Sequence, residues 1–180
     1  MSLNSIRARR SPDLLLNGLA MGIAGGLAEI VVVSLYGAGA GVSVADVARH
    51  IASAVRLDGA SAWTGLMVHM ALAAMLGVAI MFVWNRLAEN SVRALPLYPC
   101  MLLALAAVWV INFFVVLPVL SPGFLTLLPL SITLVSKLAF GCAVATTLRA
   151  LSRPHMPAQG ITRSVGAETL PQPSLRGARM

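Results

Sequence analysis

Charged residues are scarce in this sequence. Of its 180 residues, 11% are charged and 58% are hydrophobic, whereas soluble domains carry about 25% charged residues. Together with a mean hydropathy of +0.87, this scarcity argues against a soluble domain and predicts an integral membrane protein. The length is enough for one compact domain.

Cysteine is equally sparse, since the chain has only Cys100 and Cys142, both in apolar segments. Two such cysteines exclude a disulfide framework and lack the spacing of metal ligands. Ser–His–Asp sets, zinc motifs and phosphate-binding loops are also missing, so the sequence favours a non-enzymatic protein. A bis-histidine haem needs two facing histidines, and only His69 lies in a predicted span, so we predict no cofactor and no metal.

The formal net charge of +7 comes from arginines that flank the apolar segments. They form no basic face, which argues against nucleic-acid binding. Three arginines lie before the first span, two in the second loop and five after the fourth span, against two in the first loop and none in the third. The positive-inside rule therefore predicts that both termini are cytoplasmic.

Four apolar segments are long enough to cross a bilayer, which takes roughly 20 helical residues. The predicted spans are residues 14–36, 63–84, 97–117 and 126–148, within a membrane domain over 14–150. The glycine-rich stretch 37–41 is expected to end the first span, and Pro96 and Pro99 to open the third. The polar segments 1–13 and 151–180 are predicted to be disordered tails.

The segment 43–57 differs from the spans because it is short and two-sided. Val47 and Ile51 lie on an apolar face and Arg49 on a polar one, while Ser43 and Asp46 resemble a capping box. The pattern predicts an interfacial amphipathic helix in the first outer loop. The alternative is a helix packed against a partner outside the membrane.

Small residues recur at helical spacing inside the spans. Residues three or four apart share a helix face, and small ones let two helices approach closely. The partner helix can belong to this chain, a second copy or another membrane protein. The predicted packing residues are Gly18, Gly22, Gly25, Gly26, Gly65, Gly77 and Gly141.

Each predicted span carries one strongly polar side chain: Glu29, His69, Asn112 and Lys137. At 1.5 Å per residue, the first three lie about 8–10 Å from the outer ends of their spans, and Lys137 lies about 12 Å beyond Pro129, near which the fourth span is expected to start in earnest. Charges inside a bilayer are costly and mark candidate sites. The shared level predicts that Glu29 and Lys137 interact directly or through His69. The site is interpreted as a proton relay or a pocket for a small polar or anionic ligand. The alternative is a structural ion pair, hydrogen-bonded by histidine and asparagine, that fixes helix register.

The four short-loop spans, with the motifs NFF at 112–114, LP at 117–118 and SKLAFG at 136–141, resemble small bacterial inner-membrane proteins grouped as families of unknown function. The likeness covers most of residues 14–148 in layout. It implies a four-helix fold in the bacterial inner membrane and nothing about activity.

These patterns predict an all-α membrane protein, a four-transmembrane-helix bundle with one interfacial amphipathic helix. The favoured function is an accessory or partner-binding subunit of a membrane complex, which contacts the lipid bilayer and another membrane protein or a second copy. The alternative is a small transporter or proton-conducting protein that uses Glu29, His69 and Lys137.

Overall fold

A computed structural model describes the backbone of residues 3–89 and 96–152, and the side chains of 13–87 and 96–152. The described part is helical throughout and contains no strand. Four of its helices are long and apolar enough to cross a membrane: Asp13–Ala40, Ala62–Leu87, Leu97–Leu120 and Leu130–Leu151. The predicted C-terminal tail beyond Ser152 and most of the second loop lie outside the described residues.

Helix α1 runs from Leu3 to Ala40 and is longer at both ends than the predicted span. The sequence predicts a disordered tail up to residue 13, whereas the described backbone is helical from Leu3. At the other end the helix continues through Gly37 and closes at Gly41, which has φ +71°. Val42 N–H donates to the Gly37 carbonyl at 3.1 Å, the Schellman arrangement that a left-handed glycine permits.

Helix α2 spans Val44–Ala54 and packs against α3, Ala62–Glu89. Ser43 caps it by accepting the Asp46 N–H at 3.3 Å, as the capping-box pattern predicts. Its buried residues are Val47 and Ala52. A Cβ at Gly65 of α3 would collide with the Ala48 carbonyl, so α2 rests directly on the backbone of α3.

The long helices form a bundle arranged as a row. Helix α1 packs against α3 on one side and against α6, Leu130–Leu151, on the other, and α4, Leu97–Ile111, packs against α6. Among the described residues, α3 and α4 at the two ends of the row share no comparable contact. The core is centred on α6, where Phe140 and Val144 are completely buried with Met21 and Leu105.

The third span continues beyond α4 through a π-helical turn, Asn112–Val116, into α5, Leu117–Leu120. Leu117 N–H donates to the Asn112 carbonyl, five residues back. The wider turn precedes Pro118, whose ring would clash with the carbonyl four residues earlier in an α-helix. The span therefore ends at Leu120, not at the predicted residue 117.

The last helix begins at Leu130, four residues after the predicted start at 126. Residues Pro122–Thr126 form a 3₁₀ turn instead. Pro129 is the N-cap of α6, and the residue before a proline disfavours helical backbone, so the helix cannot start earlier without strain. It ends at Leu151, close to the predicted end.

Candidate functional site at a buried ion pair

Helix α1 presents two neighbouring rows of small residues to its two partners. Gly22 and Gly26 lie against Ala73 of α3, whereas Gly25 lies against Phe140 of α6. Glu29 follows one helical turn after Gly25, so its side chain emerges where α1, α3 and α6 meet. The junction of three helices, not a loop, therefore holds the candidate site.

An ion pair joins Glu29 of α1 to Lys137 of α6. Lys137 Nζ lies 2.6 Å from Glu29 Oε1, and the two side chains are 12% and 9% exposed. A short charge-assisted hydrogen bond of this kind is stronger than a neutral one. Because both groups are shielded from water, each offsets part of the free-energy cost of burying the charge of the other.

Phe140 supports the lysine. Lys137 Nζ lies 5.2 Å from the centroid of the Phe140 ring, within reach of a cation–π contact. The ring occupies space that a side chain at position 25 would take, since a Cβ on Gly25 would lie 2.7 Å from it. The glycine on α1 thus makes room for the aromatic ring that lies beside the ion pair.

His69 of α3 completes the cluster. Its Nε2 lies 3.3 Å from the Gly26 carbonyl oxygen and 3.9 Å from Glu29 Oε2. A carbonyl only accepts, so Nε2 carries hydrogen and donates to it. The imidazole is therefore bound to the α1 main chain and adjacent to the carboxylate oxygen that Lys137 leaves free.

Asn112 does not join this cluster. Trp109 Nε1 donates to Thr133 Oγ1 at 3.0 Å, and Gly141 lies against Met101. This register between antiparallel α4 and α6 brings Leu105, not Asn112, level with Lys137. Asn112 is seven residues along, about 10 Å away along the helix axis. The predicted shared level thus holds for three of the four polar residues.

Every glycine predicted to mediate packing lies against another helix. Gly18, Gly22, Gly26 and Gly77 lie between α1 and α3, Gly25 between α1 and α6, Gly141 between α6 and α4, and Gly65 between α3 and α2. Gly65 and Gly77 share a row of four-residue steps but face different helices. Four residues turn an α-helix by about 400°, so each step of four shifts the row by about 40° around the helix axis. The three steps from Gly65 to Gly77 therefore shift it by about 120°, to another face of α3.

The sequence prediction did not include Phe140 in the site. Its signal was the spacing of three from Lys137, which places the two side chains on one face of a helix.

No group of three or more His, Cys, Asp or Glu side chains within the described ranges is placed to hold a metal ion.

Comparisons with protein-family models, with curated proteins and with solved structures find no match to this chain. Its function is therefore argued from the geometry alone.

Chemically, the cluster is a carboxylate with one oxygen bound to an ammonium group and the other facing an imidazole. It links the first span to the second and the fourth. The lysine neutralises the carboxylate, so the three helices meet at a pair of opposite charges.

Proposed function

We propose that this chain is a multi-pass protein of the bacterial inner membrane that acts as a non-enzymatic, partner-binding subunit of a membrane complex. The observation that supports this proposal is the ion pair between Glu29 and Lys137. Its charges neutralise one another inside a helix junction, as in a scaffold.

The partner-binding surface is an apolar stripe on α1. Although α1 is central in the row, Leu16, Ile23, Leu27, Val31 and Leu35 are exposed along it, each by 46–71%. Exposed apolar surface of this extent marks contact with lipid or with another protein. A stripe of branched side chains at spacings of four and seven is suited to pack against a helix of a partner.

Topology provides the first test. We propose that the termini and second loop are cytoplasmic and that α2 lies at the outer interface, since ten arginines flank one side and two the other. Reporter fusions after residue 90 and at the C-terminus are expected to report the cytoplasm, and a fusion near residue 58 the outside. A cytoplasmic signal at residue 58 would contradict the proposed orientation.

Partner binding is tested with matched variants of two exposed apolar faces. In mild detergent the wild-type chain is expected to co-purify with a larger membrane protein at fixed stoichiometry, measured by light scattering and mass spectrometry. The triple variant Ile23→Ala, Leu27→Ala, Val31→Ala should lose that protein because it truncates the α1 stripe. The control pair Leu103→Ala, Val119→Ala removes side chains that are 74% and 78% exposed on the third span and should retain it. Equal loss in both would contradict a partner site on α1.

A proton-conducting protein is the second candidate, and the position of His69 favours it. An imidazole 3.9 Å from a buried carboxylate is a suitable proton carrier. In that case the purified chain alone should conduct protons in liposomes, and His69→Gln should abolish the flux without loss of folding. Absence of flux from the wild type would reject this candidate.

A further inference from the structure

A cavity that is open to the surface lies beside α2, away from the ion pair. It has a volume of about 280 Å³ and is lined by Arg49, His50, Ser53, Gly59 and Ala60. One water takes about 30 Å³ in the liquid, so a polyatomic group fits. Three of the five lining residues are polar and come from one face of α2.

The polar residues of this cavity are held in place by α2 itself. The carboxylate of Asp46 pairs with Nη1 of Arg49, and the carbonyl of Asp46 accepts from His50 Nδ1 at 2.9 Å. The guanidinium has five N–H donors in a fixed fork, so donors remain after Asp46 is bound. Ser53 donates to the His50 carbonyl at 3.0 Å, so its hydroxyl hydrogen, like the His50 Nδ1 hydrogen, is already used within α2. The remaining N–H groups of Arg49 are the donors that suit an oxyanion.

The surroundings of the cavity are those of a membrane surface. Val55 and Leu57, between α2 and the cavity wall at Gly59, are 41% and 44% exposed. Trp63, three residues after Ala60, is 67% exposed, and exposed tryptophans near span ends sit at the level of lipid headgroups. Acyl chains can contact the apolar side chains while a headgroup reaches Arg49.

We propose that this cavity binds a phosphate-bearing anion and that the headgroup of an anionic phospholipid supplies it. The phosphate contacts the free N–H groups of Arg49, and the ring of His50 lies beside it. The proposal rests on the membrane insertion proposed above, which the reporter fusions test separately.

The test compares lipids retained by the purified full chain. After exposure to equal amounts of phosphatidylglycerol and phosphatidylcholine, native mass spectrometry of the wild type should show preferential retention of one phosphatidylglycerol. The variant Arg49→Gln should weaken that retention roughly tenfold, because it removes the charged hydrogen-bond donors that face the phosphate. Arg56→Gln is the matched control, since it removes the same charge from a neighbouring residue outside the cavity lining, and it should retain the lipid as the wild type does.

A second arm separates the lipid from free phosphate. Inorganic phosphate should displace the retained phosphatidylglycerol more effectively than chloride at equal ionic strength. Arg49→Lys, which keeps the charge but loses the planar fork of donors, gives a weaker loss and serves if Arg49→Gln does not fold. No lipid preference in the wild type, or equal loss in Arg56→Gln, overturns the proposal. Stabilisation by phosphate without a lipid preference overturns the lipid source and leaves a site for free phosphate.

Discussion

Replacing Lys137 with methionine is expected to lower the free energy of unfolding by about 3–5 kcal/mol. The substitution keeps the volume of the side chain but leaves the Glu29 carboxylate buried without its cation. Glu29→Gln should cost a similar amount because it strands the ammonium group. The double variant should be less destabilised than the sum of the two, since two neutral side chains then share the junction.

Thermal unfolding of the four proteins in detergent measures this cycle. Arg149→Gln is the control, because it removes a positive charge from an exposed position at the end of the same helix and should change stability by less than about 0.5 kcal/mol. Strictly additive losses would mean that Glu29 and Lys137 do not interact. In the proton-conducting alternative, the double variant should fold and insert but fail to carry protons.

Gly77→Ala is the second substitution with a large expected effect. A Cβ at this position would collide with the backbone of Gly18 and Gly22 on α1. These are main-chain atoms and cannot rotate away, so α1 and α3 must separate along their shared surface. We expect a loss of about 1–3 kcal/mol or more, the cost of overpacking a close interface.

Gly39→Ala is the matched control for this prediction. Gly39 is also helical, but nothing lies within 4 Å of a Cβ added there, and alanine is the better helix former. The control should unfold at or slightly above the wild-type temperature, whereas Gly77→Ala should unfold well below it. Equal temperatures for the two variants would contradict the close contact of α1 with α3.

The ion pair between Glu29 and Lys137 is the part of the site that the sequence predicts best. Depth along a helix follows from counting residues, and the cost of a buried charge supplies the reason for pairing. His69 follows from the same count. These arguments need only the length of each helix and the side of the membrane on which it is predicted to start.

Asn112 shows where that argument stops. The helix continues through the π-helical turn to Leu120, and counted from there Asn112 is eight residues or about 12 Å deep, still within the predicted range. The level of a residue against its neighbours depends on how two helices slide past each other, and the contact of Trp109 with Thr133 sets that position. Gly65 shows a second limit of the sequence prediction. Small residues at a spacing of four indicate a packing face, but they do not reveal which helix each residue contacts.

The ion pair also has a consequence for the order of events during synthesis. Glu29 leaves the ribosome about a hundred residues before Lys137, an interval on the order of ten seconds at roughly 5–20 residues per second. His69 follows Glu29 after about forty residues, so the imidazole is present well before the lysine. The first three spans are thus synthesised before Lys137 is available to pair with the Glu29 carboxylate. Only the arrival of α6 completes the junction.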